Sequence, residues 1–503
     1  MNSVKFDYLN ILILLFLFSC SNISEKNVEK VESNYYSQGI HNRTVAEWEP
    51  ALGTLVVWPL SIPHKLAIEL ANDNHLFTMV ENEDARKDAE KWFDEWNISS
   101  DNVTFIYANQ GVDAWWTRDW GPSAVFTHNN EYTLADGKYI YSTPATGMAC
   151  NDSLQFLYKD QNNKVELTQI DDDATIPLAK QLGFELMDLP FNNTGGNVLT
   201  DGVGTAFSTC IIFSENNYHG IERERFLQLN DSLLGFQQYN IISNFENRGI
   251  QHIDCLLKLL DEETILIAEP PNDHELFSVY NDIVSEELSM LKSPYDRPYR
   301  ILRIKTARYK DELLAAYTNS LILNKTVYVP LFDIPQDSIA LKTWEDAMPG
   351  YNIKGFKFAL EDEPLVTTQL KEHYQTYGWN DGDALHCRTR AIWNPDMLFI
   401  SVKRIKSIVE SSQGNKVYAS IIDYSGTGLV ENKSELHWKL SGEIKWNSIP
   451  LSQIDSENHF FAQIPNQNSG TTIQYYVSAV SASGEKETRP ITAPVATYEF
   501  SIK

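Results

Sequence analysis

The stretch Cys387-Arg388-Thr389-Arg390-Ala391-Ile392-Trp393-Asn394-Pro395-Asp396-Met397-Leu398-Phe399-Ile400-Ser401-Val402 shows the pattern that decides the fold. A polar residue comes first, and a strand over residues 388–393 follows it. An Asn-Pro turn then leads to a second apolar strand over residues 397–402. The stretch therefore predicts a β-hairpin with a reactive side chain, Cys387, at its start.

The same arrangement occurs four more times, earlier in the chain. The polar residues that begin these units are Asp119, Asn197, His252 with Asp254, and Asn319. The paired strands expected after them cover residues 123–127 and 131–134, 198–199 and 206–213, 255–260 and 264–268, and 320–323 and 326–330. Helical patterns lie between the units, for example over residues 84–96 and 337–348. Five α/β units around one axis, each delivering a polar residue to the centre, fit this spacing. Chance spacing in an ordinary α/β protein is the alternative.

Composition limits the class of protein. The chain has 503 residues, 43% of them hydrophobic, and a formal net charge of −27. This length exceeds what one domain usually needs, and the apolar fraction argues against wholesale disorder. The negative charge makes nucleic acid a poor partner and favours cationic, arginine-bearing ligands. Residues 403–503 show short alternating strands without long helices, which predicts an all-β immunoglobulin-like sandwich with a supporting role.

The N-terminus has the pattern of an export signal. Lys5 precedes an apolar run over residues 9–18 that is too short to span a bilayer comfortably. The run ends in Ser19-Cys20, which resembles the bacterial lipoprotein cleavage box. We therefore expect residues 1–19 to be a lipoprotein signal peptide, Cys20 to be lipidated, and residues 20–45 to be a flexible linker. The protein is then exported and lipid-anchored to a bacterial cell envelope, with the outer membrane as the expected site. An ordinary secretory signal with an incidental cysteine is the alternative.

The remaining cysteines are Cys150, Cys210, Cys255 and Cys387. They form no CxxC pair, so a zinc knuckle is not supported and no metal site is predicted. No spacing among them indicates a particular disulfide. Cys255 opens the apolar run Cys255-Leu256-Leu257, which predicts a packed strand residue.

The polar residues at the starts of the units suit chemistry on a guanidinium group, which is planar and permanently cationic. Two carboxylates, Asp119 and Asp254, can clamp the cation, and Trp116 can cover its flat face. A thiolate at Cys387 can attack its carbon, while His252 transfers a proton to the departing ammonia. Asn319 is expected to orient the substrate or a neighbouring carboxylate. Arg118 can be read more simply as a salt-bridge partner.

Six motifs carry a resemblance to a known family. They are Glu47-Trp48-Glu49-Pro50, Trp116-Thr117-Arg118-Asp119-Trp120-Gly121-Pro122, Thr194-Gly195-Gly196-Asn197, Gly249-Ile250-Gln251-His252-Ile253-Asp254, Tyr317-Thr318-Asn319-Ser320 and His386-Cys387-Arg388-Thr389. With these motifs, residues 46–402 resemble the bacterial-type peptidylarginine deiminase and agmatine deiminase family of the guanidino-group-modifying pentein superfamily. The resemblance implies a five-bladed pentein α/β propeller as the catalytic domain.

The resemblance also implies roles for residues. Cys387 would be the nucleophile, His252 the general acid and base, Asp119 and Asp254 the guanidinium ligands, and Asn319 a further active-site residue. No cofactor is implied, and calcium is not expected to be required. The export signal and the trailing sandwich resemble the peptidylarginine deiminase branch more than the agmatine branch.

The expected reaction converts arginine in peptides or proteins to citrulline and ammonia through a covalent thiouronium on Cys387. Agmatine deimination to N-carbamoylputrescine is one alternative, and an inactive surface lipoprotein that binds arginine-rich ligands is another. A cysteine peptidase would leave the two carboxylates unexplained. The chain has no Arg between Arg118 and Arg223, which predicts that internal or amidated arginines are accepted. The sequence leaves the oligomeric state open.

Overall fold

Five small sheets follow one another along the first four fifths of the chain. Each combines an antiparallel strand pair with at least one parallel strand. Their strands are Arg43–Thr44, Ser123–Phe126, Tyr132–Lys138 and Glu185–Asn192; Leu199–Thr200, Thr205–Thr209 and Gln238–Ile242; Leu257–Asp261, Thr264–Glu269 and Arg300–Lys305; Leu321–Leu323, Thr326–Leu331 and Asn352–Lys357; and Arg390–Trp393, Ala51–Val57, Leu76–Val80 and Val103–Tyr107.

The computed structural model describes residues 41–109, 111–112, 115–144, 154–156, 168–246, 249–310, 312–380, 382–410, 414–454 and 458–503. The predicted signal peptide, Cys20, Cys150 and most of the predicted linker lie outside these residues. The last part of that linker differs from the prediction, because Arg43–Thr44 is a buried strand paired with Ser123–Phe126. Among the described residues, no helix has the length and apolar character to cross a membrane.

Helices connect the strands. The longer ones are His64–Asp73, Glu83–Glu95, Thr175–Leu182, Ile211–Tyr218, Arg223–Leu234, Gln336–Ala347 and Thr368–Tyr374. Glu83–Glu95 shows why such a segment is helical. The Asn82 side chain accepts the backbone N–H groups of Asp84 and Ala85, and Glu83 and Asp84 place negative charge in the first turn. Ala89 and Phe93, four residues apart, are buried on its inner face.

The fifth expected hairpin does not form. Arg390–Trp393 pairs instead with Ala51–Val57, so it completes a sheet whose other three strands lie near the beginning of the fold. Leu398–Lys403 pairs with Asn415–Asp423 and belongs to the C-terminal sandwich, which therefore begins before residue 403. Spacing within one stretch could not reveal this, because the partner strand lies far away along the chain.

Two shorter predictions also differ from the structure. The strand expected over residues 206–213 ends at Thr209, and the helix Ile211–Tyr218 follows. Cys255 was predicted as a strand residue, but it lies in a single helical turn, Ile253–Leu256, and the strand begins at Leu257. Its apolar neighbours would be buried in a strand as they are in this turn, so burial alone did not distinguish the two.

The C-terminal part consists of two mostly antiparallel sheets around a separate apolar core. One sheet contains Leu398–Lys403, Asn415–Asp423, Ser452–Gln453 and His459–Ile464; the other contains Ile408–Val409, Glu435–Leu440, Asn447–Pro450, Thr472–Val480, Lys486–Arg489 and Tyr498–Ile502. In Thr472–Val480 every second side chain is buried, as a sheet with one packed face requires. The sandwich architecture is thus observed, whereas its immunoglobulin-like topology stays a prediction.

The sandwich packs on the third sheet through ion pairs of Arg489, which is buried, and Arg404, which is half-buried. The turn Asp261-Glu262-Glu263 joins two strands of that sheet. Arg489 lies 2.5 Å from Glu262 and Arg404 lies 2.6 Å from Asp261. Arg297 lies 2.7 Å from Glu263. We call this group of three carboxylates and three guanidinium groups the junction cluster.

Candidate active site

The five polar motifs contact one another in a closed ring of hydrogen bonds. The Gly196 amide donates to Asp119 Oδ1 at 3.1 Å, and the Ile253 amide donates to Asn197 Oδ1 at 3.1 Å. The remaining three links are Thr318 Oγ1 to the Cys255 carbonyl at 2.8 Å, the His386 amide to Asn319 Oδ1 at 3.0 Å, and the Arg118 amide to the Cys387 carbonyl at 3.0 Å. Each motif therefore contacts the next one along the chain, and the fifth contacts the first. We call this the motif ring.

Short helical turns place the motifs in this ring. Thr117–Trp120, Gly195–Asn197 and Ile253–Leu256 each make about one turn immediately before the first strand of a sheet. Gln251, just before His252, adopts a left-handed backbone with φ of 61°. That conformation is uncommon for a side chain of this type. The side-chain oxygen Oε1 of buried Gln251 accepts hydrogen bonds from the Phe245 and Glu246 backbone N–H groups, which fixes the turn that presents His252.

Three functional side chains converge above Gly196. A Cβ at this position would lie 2.5 Å from Asp119 Oδ1, 2.8 Å from His252 Nδ1 and 3.4 Å from Asp254 Oδ2. Any other residue would therefore fill the space that these groups share. His252 Nδ1 lies 3.4 Å from Asp119 Oδ1, and all three side chains are buried. The sequence prediction named all three, and the structure brings them together.

The charge state of His252 follows from its carboxylate neighbours. Burial alone would lower its pKa, but Asp119, Asp254 and Glu215 more than offset that effect and raise it to about 9. The imidazole is therefore protonated at neutral pH. Protonated His252 has an N–H to donate to a leaving amine, as a general acid requires.

A second histidine fixes Asp254. His386 Nδ1 lies 2.6 Å from Asp254 Oδ2, and its Nε2 lies 2.9 Å from Glu47 Oε2. Lys258 lies 3.0 Å from the same Glu47 oxygen. Burial would raise the pKa of Asp254, but the hydrogen bond and charge of His386 bring it below its ordinary value. This chain of contacts keeps Asp254 ionised in a place where water does not solvate it.

Cys387 lies beside Asp254 and under the amide of Asn319. Asn319 Nδ2 donates to Cys387 Sγ at 3.2 Å, while Asn319 Oδ1 accepts the Cys387 amide at 3.3 Å. Asp254 Oδ2 lies 3.7 Å from Cys387 Sγ. A hydrogen bond from Cys255 lowers the pKa of Cys387, but burial and the charges of Asp254, Asp383 and Asp119 raise it to about 11. Without a bound cation the group is therefore a thiol.

The other residues singled out from the sequence lie close by but have different surroundings. Asn197 Oδ1 accepts the Thr209 and Ile253 amides, so Asn197 orders the backbone before Asp254. The Trp116 ring is buried between Trp115 and Tyr141, with ring centroids 4.9 and 4.7 Å away. Its role against a substrate cation stays a prediction. The ligand atoms of Asp254, Cys255 and Cys387, one carboxylate oxygen and two sulfur atoms, lie within 4.8 Å of one another.

Sequence reasoning gave no role to several residues of the site. Arg388, directly after Cys387, is fully buried and holds Asp383 through two hydrogen bonds of 2.7 and 2.8 Å. His386 and Glu47 both occur in the quoted motifs, but no pattern indicates that they meet across 339 positions of sequence. Cys255 was read as packing alone. Only the tertiary structure places its sulfur beside that of Cys387.

Comparisons with known proteins identify the family and the fold. The sequence model of the Porphyromonas-type peptidyl-arginine deiminase family matches residues 43–360, which is more than half of the chain. Solved agmatine deiminases of C. jejuni and Enterococcus faecalis share the fold, each with a TM-score of 0.51, at 15% and 16% identity. These alignments cover 70% of this chain and 97% and 96% of the two structures. Cys387 lies beyond the residues matched by the family, so its place in the site rests on the contacts above.

A curated Vibrio parahaemolyticus protein named "Putative agmatine deiminase" is 22% identical over 219 residues. That match covers 39% of this chain and 61% of the relative.

Proposed function

Because the chain belongs to the Porphyromonas-type peptidyl-arginine deiminase family, we propose that it deiminates arginine side chains in peptides or proteins. The observation that carries the proposal is the convergence of Asp119, His252 and Asp254 above Gly196, beside Cys387. Two carboxylates, a protonated imidazole and a thiol are the groups that removal of ammonia from a guanidinium group needs.

Substrate binding places a permanent positive charge beside Asp119 and Asp254. Among the described residues, the ion pairs of Asp119 and Asp254 are with histidines. A guanidinium group between the two carboxylates can donate charge-assisted hydrogen bonds to both. The same cation stabilises a thiolate next to it, so binding promotes loss of the Cys387 proton.

The first half of the reaction forms a bond to sulfur. Cys387 Sγ attacks the guanidinium carbon, and one C–N bond breaks. Protonated His252 donates its proton to the departing nitrogen, which leaves as ammonia. A thiouronium group then joins the substrate to Cys387, held by Asp119 and Asp254 throughout.

The second half releases the product. His252, now neutral, takes a proton from a water molecule, whose oxygen adds to the thiouronium carbon. The C–S bond breaks, the added hydroxyl group gives its proton to the departing Cys387 sulfur, and the substrate side chain carries a ureido group. The clamp holds the reacting carbon in one place during both halves, which reduces the entropic cost of each attack.

The substrate is tested by direct comparison. Purified protein is incubated with an arginine-containing peptide and, separately, with agmatine, and both ureido product and ammonia are measured. We expect ureido formation and equimolar ammonia with the peptide, and a much smaller kcat/KM with agmatine. Preference for agmatine would overturn the choice of substrate, and no product with either would overturn the reaction.

We further propose that the protein is exported and anchored through a lipid on Cys20, in support of which stands the signal pattern of residues 1–19. Cys20→Ser should release the protein from membranes into the soluble fraction. Mass spectrometry of the mature N-terminus provides the decisive measurement, because a mature chain that lacks Cys20 contradicts the anchor.

A further inference from the structure

The candidate active site contains a second free thiol. Cys255 is buried one residue after Asp254, and its sulfur lies within 4.8 Å of Cys387 Sγ. Asn319 Nδ2 contacts both sulfur atoms, at 3.2 Å for Cys387 and 3.8 Å for Cys255. Both side chains are carried by short turns at the starts of their sheets rather than by the middle of a strand. The two sulfur atoms thus lie close together without a covalent bond between them.

The surroundings suit a reaction between the two sulfur atoms. Cys255 Sγ lies 3.5 Å from Asp254 Oδ1, so its S–H group has a carboxylate acceptor. Cys387 Sγ lies 3.7 Å from the other oxygen of the same carboxylate. A disulfide needs the sulfur atoms at about 2.05 Å, so its formation requires the two side chains to move together from a separation within 4.8 Å. Deimination, as described above, uses the Cys387 sulfur and leaves the Cys255 sulfur without a chemical role.

We propose that Cys255 is the resolving thiol for a reversible oxidation of Cys387, which makes the pair a modification site for hydrogen peroxide. Cys387 loses its proton at alkaline pH and the thiolate attacks peroxide, an S–O bond forms, the O–O bond breaks, and the released hydroxide takes up a proton and leaves as water. Cys255 sulfur then attacks the resulting sulfenic acid, the S–S bond forms, the S–O bond breaks, and a second water leaves. Two thiols and one peroxide therefore give one disulfide and two waters.

The consequence is protection of the nucleophile. A sulfenic acid without a neighbouring thiol is oxidised further to sulfinic acid, which thiol reductants do not reverse. With Cys255 in place, the oxidised site returns to two thiols when a dithiol is added. The effect on activity rests on the proposed function, whereas formation of the disulfide does not.

The full-length protein is treated with hydrogen peroxide, quenched with excess N-ethylmaleimide, digested and mapped by mass spectrometry. We expect a Cys255–Cys387 cross-linked peptide pair that is two hydrogen atoms lighter than the sum of the free peptides. Deiminase activity should fall in step with this product and return with dithiothreitol. Untreated protein is one control. The Cys210 peptide is an internal control, because Cys210 is already disulfide-bonded and its peptide should stay unchanged on treatment.

Cys255→Ser is the matched variant, since it keeps a small hydrogen-bonding side chain but cannot resolve a sulfenic acid. In this variant Cys387 should gain two oxygen atoms, and its activity should not return. Sulfinic Cys387 with free Cys255 in the native protein, or full recovery in the variant, overturns the inference. If the variant fails to fold, the native peptide map decides alone. A cross-link in a protein without deiminase activity refutes the proposed function but leaves the thiol pair established.

Discussion

One hairpin, Leu257–Asp261 with Thr264–Glu269, connects two buried groups of charges with opposite designs. Asp254 stands just before its first strand and belongs to the candidate active site. The turn at its other end, Asp261-Glu262-Glu263, forms the junction cluster with the sandwich. Both ends bury carboxylates, but Asp119 and Asp254 form their ion pairs with histidines, whereas the junction carboxylates pair with guanidinium groups.

The pKa values reflect this difference. At the junction, burial would raise the pKa of Asp261, but Arg404 lowers it to about 2. At the site, the partners of Asp119 and Asp254 are imidazoles, and the nearby carboxylates raise the pKa of His252 to about 9. Permanent cations give a rigid, neutralised contact, whereas titratable partners leave room for a cation that arrives and departs. We therefore expect changes at one end to alter catalysis and changes at the other to alter stability.

The largest expected effect is at the sulfur. Cys387→Ala removes the atom that forms the covalent intermediate, so kcat should fall by at least ~10⁴-fold, as nucleophile removal does in concerted sites. A haloacetamidine probe followed by peptide mapping should label Cys387 and spare Cys255. Labelling of Cys255 with Cys387 untouched would show that Cys387 is not the nucleophile.

The two carboxylates come next. Asp119→Asn and Asp254→Asn keep the shape but each remove a charge-assisted hydrogen bond to the substrate, worth roughly 1.5–3 kcal/mol. Steady-state kinetics should show kcat/KM reduced by about 10- to 150-fold in each variant. Glu262→Gln at the junction is the control and should retain normal kcat/KM. Unchanged kinetics in Asp254→Asn would remove that residue from the site.

The pH dependence of alkylation sharpens the electrostatic contrast. Because the pKa of Cys387 is raised to about 11, reaction of the free enzyme with neutral iodoacetamide should keep increasing above pH 9. A cationic haloacetamidine brings its own positive charge and should label the same thiol near neutral pH. A plateau in the iodoacetamide rate below pH 8 would mean that the free enzyme already holds a thiolate.

At the junction the expected effect is on unfolding. Arg489→Met leaves the buried Glu262 carboxylate without its partner, and breaking such a pair costs about 3–5 kcal/mol. Urea unfolding should show this loss, while kcat/KM at low temperature stays near that of the native protein. A stable variant with impaired catalysis would reverse the assignment of the two ends.

The smallest expected effect concerns the end of the substrate. Recognition of a C-terminal carboxylate needs a free cation near the site. Among the residues that the structure describes, Arg388 is held by Asp383, Lys258 by Glu47, and Lys138 lies 3.1 Å from Asp188. A peptide ending in arginine and the same peptide with an amidated end should therefore differ little in kcat/KM. A ~100-fold preference for the free acid, about 2.7 kcal/mol, would show a carboxylate-binding cation.

Sequence patterns identified those residues of the candidate site that are marked by local spacing. Asp119, His252, Asp254, Asn319 and Cys387 each lie shortly before a strand, and the start of a strand is visible within one stretch of chain. They missed contacts made across the fold, such as Glu47 with His386, because neither residue type nor spacing marks distant partners. The pairing of Arg390–Trp393 with Ala51–Val57 was missed for the same reason, and a local turn signal favoured the wrong partner. Cys255 was misread because a buried turn and a buried strand have the same apolar composition.

The motif ring also bears on how the protein acquires activity. Its closing hydrogen bond joins Arg118 to Cys387, two residues separated by more than half of the chain. Likewise, the strand Arg390–Trp393 pairs with Ala51–Val57 near the beginning of the fold. Contacts of such long sequence separation form late and slowly during folding. A truncated or half-folded chain can thus contain complete sheets and still hold no reactive centre. During refolding, enzymatic turnover should therefore appear only when the motif ring is complete, later than the recovery of secondary structure.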